Sequence, residues 1–266
     1  MESIQNAHGV PKTSTISPAI FYWGTPVVLV SSLNEDGTTN ISPVSSAWWL
    51  GNRCILGLGV NSHTTNNILR TKQCVLNLPS DNMPDAVNAV ARTTGSKEIL
   101  TAQPGDGLTH FKRTNGYEYV PDKYSRAALT PSPSDIVVPT RIAECPAQME
   151  AELMAVHGMQ QDIDAKGFYA LEFRVLRTHV HDDIRMEGHQ NRIDPDKWKP
   201  LIMSFQELYG VKREKAVESN LARITEEGYR GFSNPAIVEP VKEKGVFDSA
   251  GVPNKIDDEV IWDTVA

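Results

Sequence analysis

The run Val27-Val28-Leu29-Val30-Ser31-Ser32-Leu33, Asn34-Glu35-Asp36-Gly37, Thr38-Thr39-Asn40-Ile41-Ser42-Pro43-Val44-Ser45-Ser46 decides the fold. Its first segment is rich in β-branched residues and apolar on both faces over 27–30. That suits a strand walled in on two sides, as in a barrel or sandwich. Asp36-Gly37 is a strong hairpin signal, so the next segment returns antiparallel to the first. Pro43 cannot donate to a ladder, which makes the second strand an edge or a bulged one. Unpaired backbone near Ser42–Ser46 then needs a partner. A ligand's hydrogen-bonding edge would serve, and so would water or a turn.

Working outward, residues 53–60 alternate, with Cys54, Leu56, Leu58 and Val60 on one face and Ile55, Gly57 and Gly59 on the other. Two glycines on one face leave a flat area for a planar ring or for a close backbone. Asn61-Ser62-His63-Thr64-Thr65 opens a helix running to about Lys72, with Ser62 or Asn61 as its cap. A helix start carrying free N–H groups and several hydroxyls suits an anion, or is a plain cap. A strand follows at 73–78 and a helix at 83–92. From Thr93 to Pro139 the pattern weakens into Gly, Pro, Thr and Ser, which reads as a long excursion with short helices lying over the site.

Strand character returns at 148–156 and 168–180, a hairpin turning at 159–166. Asp194-Pro195 opens a stretch read as helical through Trp198, Leu201, Ile202 and Phe205 to Tyr209-Gly210. Val211 to Gly228 reads as a charged amphipathic helix, and the last stretch as an extended arm. Strands without regular intervening helices disfavour a parallel α/β sheet and favour an antiparallel barrel with inserted helices.

The 266 residues are 40% apolar and 22% charged, as in ordinary globular proteins. A net charge of −7 argues against nucleic acid or an anionic membrane as main partner and leaves room for a local basic pocket. Three cysteines, none at CxxC spacing, exclude a disulfide framework; Cys54 and Cys74 read as buried thiols. With no signal-peptide core and no apolar run of about twenty residues, the inferred location is cytoplasmic. G-x-G-x-x-G, P-loop and G-x-S-x-G motifs are absent. His179 and His181 beside Asp182-Asp183 look like a metal cluster by composition but lack flanking ligands, so no metal site is assigned.

Four pieces in this order and spacing resemble the flavin reductase-like family with the FMN-binding split β-barrel fold. They are Pro26–Val30, Asn40–Ser46, Ser62–Ile68 and Val75-Leu76-Asn77-Leu78-Pro79. Glu144-Cys145-Pro146, the strand at 168–180 and Asp194 to Gly210 fit as well. The resemblance covers 18–210, leaving 211–266 as a helix and extended C-terminal arm. It implies a mainly β, Greek-key split barrel, a homodimer, and FMN near the dimer interface. Carried over by position, Asn40, Ser42, Pro43, Val44, Ser45, Ser46 and Ala47 would line the flavin ring. Ser62, Thr64 and Thr65 would hold the phosphate, with His63 and Asn67 beside it; Asn77 is a weaker candidate. The implied activity is NAD(P)H-dependent flavin reduction, with free flavin and a partner oxygenase as possible electron takers. Hydride transfer to flavin requires no side-chain acid or base, so no catalytic residue is named. Alternatives are an FMN enzyme with its own small organic substrate, or a non-catalytic flavin- or haem-binding or electron-transfer protein.

Overall fold

The computed structural model describes residues 13–162, 167–211, 214–217, 219 and 221. Its first half runs β1 (Trp23–Pro26), β2 (Val28–Leu33), β3 (Thr39–Val44), β4 (Ala47–Leu50), β5 (Arg53–Gly59), α1 (His63–Thr71) and β6 (Gln73–Leu78). Then come α2 (Pro84–Val90), β7 (Thr93–Thr94), α3 (Leu108–Thr114), β8 (Glu118–Tyr119), α4 (Lys123–Ala127), β9 (Pro131–Ser132) and β10 (Arg141–Ile142). The long strands β11 (Ala147–Met159) and β12 (Phe168–Val180) follow, and β13 (Ile202–Ser204) and β14 (Glu207–Tyr209) end the series.

Seven strands form one antiparallel sheet in the order β3-β2-β6-β11-β12-β5-β4. Its two edge strands, β3 and β4, are joined by Ser45 and Ser46 alone, so the sheet must curl until its edges meet there. β3 pairs only with β2, and β4 only with β5, so the barrel is split at this corner. Pro43 is accommodated because β3 is an edge.

Val27 to Val30 are buried on both sides for the reason their sequence suggests. Val28 and Val30 join Leu56, Ile68, Leu76 and Phe173 inside the barrel. Val27 and Leu29 face outward, under a second core of Val87, Val90, Tyr124, Ile142 and Leu201 that seats α2 and α4 on the wall. Asn77, fully buried, donates from Nδ2 to Leu29 O (2.8 Å) and Ser31 Oγ (3.0 Å), and its Oδ1 accepts from Ile142 N (2.9 Å). It is a staple of the wall. The three cysteines are buried, and burial pushes the Cys54 thiol up to about 12.

Two expectations change. The stretch from Asp194 is not a helix: Ile202–Ser204 and Glu207–Tyr209 form a hairpin on β1. Backbone bonds of Leu201 to both Pro79 and Val27 hold it in place, and the turn at Phe205-Gln206 is left-handed at both residues. The helix expected from 211 lies largely outside the described residues. Val211, 214–217, 219 and 221, which are described, carry no α-helix.

Candidate functional site

The corner and the start of α1 lie toward opposite ends of β3. α1 begins where β5 stops. Gly59 O accepts from Ser62 N (3.0 Å) and from Thr65 Oγ1 (2.8 Å), while Ser62 Oγ caps Thr65 N (3.0 Å). Those bonds swing the first turn of α1 against Asn40. Asn40 Nδ2 donates to Thr64 Oγ1 (3.1 Å), and Asn67 Nδ2 donates to Ser32 Oγ (3.2 Å) and Asn34 Oδ1 (2.9 Å). His63 Nε2 also donates to Asn34 Oδ1 (2.8 Å), which sets the tautomer of the neutral ring. Burial holds His63 below the usual histidine range, with the charge of Lys123 acting in the same direction.

Asn40 Oδ1 is buried with no hydrogen-bond partner. Gly95 abuts it: a Cβ there would meet His63 Cδ2 at 2.6 Å and Asn40 Oδ1 at 2.9 Å. An orphaned amide oxygen costs about 1–3 kcal/mol, so this spot is built for a donor or is kept for another purpose.

At the corner, Val44 and Ala47 point into the barrel core, so they offer a ligand only their backbone. Ser42, Pro43, Ser45 and Ser46 are half-buried. Ser46 O accepts from Gly57 N (2.7 Å), and Ser46 Oγ bonds Tyr22 Oη (3.1 Å). A Cβ on Gly57 would lie 2.9 Å from Ser46 Cβ. The flat area at Gly57 is therefore filled by the chain's own corner, the close-backbone reading of that glycine.

Of the residues singled out from sequence, Asn40, His63, Thr64 and Asn67 come together in one network. Ser62 and Thr65 sit at its edge, and Ser42 to Ala47 lie further along β3. Two of these, His63 and Asn67, also line a cavity of about 880 Å³ between α1, the β2–β3 turn and the 93–140 excursion. Sequence reasoning missed Ser32, Asn34, Gly95 and Lys123. None lies in a periodic pattern, and each acquires its role only when the excursion folds back.

His179 and His181 are structural rather than metal-binding. His179 Nε2 meets Glu150 Oε1 at 2.7 Å, and His181 Nε2 donates to Ala143 O at 2.8 Å. Asp135, Glu150 and His179 do place ligand atoms within 4.8 Å of one another. However, the buried Glu150 carboxylate accepts N–H groups from Asp135, Ile136 and Val137, and Asp135 holds Arg177.

A sheet closed through a two-residue corner, with a capped helix start beside its edge strand, defines a flavin-related split-barrel oxidoreductase. The chain belongs to the flavin reductase like domain family, which its sequence matches over residues 22–209. It is 39% identical over 199 residues to the uncharacterized protein YdfE of Bacillus subtilis (strain 168), covering 75% of this chain and 89% of that one. The fold is shared with flavoredoxin of Desulfovibrio vulgaris (Miyazaki F) at a TM-score of 0.60 and 18% identity, over 80% of this chain and all of that one. Nitrilotriacetate monooxygenase component B from Bacillus cereus superposes with a TM-score of 0.58 at 17% identity, over 78% of this chain and all of that one. No helix among the described residues is long and apolar enough to cross a membrane.

Proposed function

We propose that this protein is an NAD(P)H-dependent flavin reductase that binds FMN across the split of its barrel. The observation that carries this is the corner at Ser45–Ser46. Two edge strands meet there without pairing to each other, so backbone polar groups of Ser42 to Ala47 face a ligand position. The edge of a flavin ring supplies the donors and acceptors such groups need. A ribityl hydroxyl would satisfy Asn40 Oδ1, which has no partner in the chain. The first turn of α1 presents N–H groups without intrahelical partners, as every helix start does. The phosphate is assigned to that turn, held by Ser62, Thr64 and Thr65 with His63 and Asn67 alongside.

When bound, the flavin supplies the hydride acceptor. The chain's task is positioning. The edge backbone orients the ring, the barrel core beneath Val44 and Ala47 excludes water from one side, and the α1 turn fixes the phosphate. The proposed active form is a homodimer. Trp48 and Leu50 project outward from β4, and Trp23 stacks edge-on against Phe205 at 4.6 Å on neighbouring β1; Trp23, Trp48, Leu50 and Phe205 are all exposed. Apolar area of that kind, flanking the corner, suits burial by a second copy.

The test is the visible spectrum of purified protein loaded with FMN, then anaerobic addition of NADH and NADPH. A bound flavin that bleaches with either nucleotide is the expected result. A bound flavin that stays oxidised points to an enzyme with its own organic substrate. Failure to take up FMN removes the site assignment.

A further inference from the structure

The cavity beside α1 is not used by the flavin-ring position, and its charge is unusual for this chain. Arg70, Lys97 and Lys112 line it, and Lys123 lies buried just behind it. Among the described residues no carboxylate comes within ion-pair distance of any of the four. Arg70 donates to Leu33 O, and Lys112 sits 5.9 Å over the Tyr117 ring. Lys123 Nζ has Ile41 O (2.7 Å) as its partner. A buried amine facing only a carbonyl is costly. Lys112 and Lys123 repel each other, and Lys123 also repels a protonated His63, so each opposes its neighbour's charge. Four acidic residues share the cavity wall. Asp36 and Asp122 are engaged by Thr38 and Ser125, and Glu35 and Glu98 are exposed. Lys97 reaches Asp36 only as a weak, longer-range attraction. A basic pocket in a protein of net charge −7, with no acid in ion-pair reach of its cations, is short of an anion.

Size and position narrow the anion. At about 880 Å³ the cavity is far larger than a phosphate needs and falls within the range of about 300–1,000 Å³ for drug-sized ligands. It begins at His63 and Asn67, the phosphate end of the proposed flavin site, and continues past Arg70 away from the corner. Tyr119 and Pro121 add apolar area to the wall, where a nucleoside could rest.

We propose that this cavity is a subsite for the diphosphate and nucleoside of a dinucleotide, with Lys97, Lys112 and Lys123 recognising the phosphates. The dinucleotide's other half would reach the flavin-ring position, and that part rests on the function proposed above. Two molecules carry the same moiety: a flavin bound as its adenine dinucleotide, and the nicotinamide co-substrate.

ADP is the probe common to both. Its affinity would be measured by calorimetry on the whole protein and on Lys97→Gln/Lys112→Gln, with thermal melts to confirm folding. Wild type should bind ADP, and the double variant should bind it about tenfold or more weakly for each cation removed, while FMN affinity stays within about twofold. ADP competing with FAD but not with NADH identifies the flavin as the source; competition with NADH alone identifies the co-substrate. No ADP binding to wild type, or equal binding to the double variant, overturns the proposal. If FMN and FAD fail to bind while ADP behaves as stated, the flavin reading falls and the subsite stands.

Discussion

Gly95 and Lys123 show how much of the candidate site rests on single residues that carry no motif. Gly95 lets the excursion lie directly on His63 and Asn40. Gly95→Ala would force a Cβ into the imidazole, so we expect a loss of about 1–3 kcal/mol in denaturant unfolding and weaker flavin binding. Lys123 makes a pH prediction. Burial lowers its folded pKa to about 7, against 10.5 for the free side chain. Between those values the unfolded chain holds the proton and the folded chain does not. Stability therefore rises with pH across that window, and the full penalty is present below pH 7. The upper bound on that penalty is on the order of 5 kcal/mol. Lys123→Met should be more stable than wild type at pH 6, by about 2 kcal/mol after losing the bond to Ile41 O, and the gain should vanish near pH 10. A variant equally or less stable at pH 6 would show that the amine is well solvated. Neither residue stands out in the sequence, because a glycine's close approach and a lysine's burial are set by chain segments brought together only on folding.

At the scale of elements, alternation and turn chemistry make most of the fold legible. The doubly apolar run at 27–30, Asp36-Gly37, Pro43 on an edge strand, the Ser62 cap and the long hairpin of β11 and β12 all follow from local rules. The β13–β14 hairpin does not, for two reasons. Trp198, Leu201, Ile202 and Phe205 fall at helical spacing, and the turn lacks the Asn-Gly that marks a two-residue hairpin. Phe205 and Gln206 adopt φ of 48° and 71°, a left-handed pair that side chains resist. Phe205 is held by its packing against Trp23 and by its N–H bond to Tyr22 O (2.8 Å). Gln206 is exposed and has no such compensation. Gln206→Gly should therefore stabilise the fold by about 0.5–1 kcal/mol, read as a higher denaturant midpoint at unchanged slope. Phe205→Gly should destabilise it, because removing the ring that packs on Trp23 outweighs the same backbone relief.

For the whole molecule, the question is what covers the outward face of β4. Trp48 and Leu50 are 56% and 75% exposed on one side of an edge strand, and they flank the corner assigned to the flavin. Trp49, between them, turns inward onto the barrel core. An exposed apolar edge of this kind is an aggregation hazard unless it is paired or covered. The sequence shows the two tryptophans but not that alternate residues part company there, since that depends on the sheet closing through Ser45–Ser46. A single charge on this face separates the proposals. Leu50→Glu leaves the core untouched, so thermal stability of the monomer should change by less than about 0.5 kcal/mol. Sedimentation should then show dimer in wild type and monomer in Leu50→Glu, with FMN affinity falling in parallel if the second copy closes the flavin position. Dimer loss at unchanged FMN affinity would place the flavin site wholly within one subunit. A wild type that is monomeric at micromolar concentration would remove the second copy from the site and leave the corner open to solvent or to a different partner.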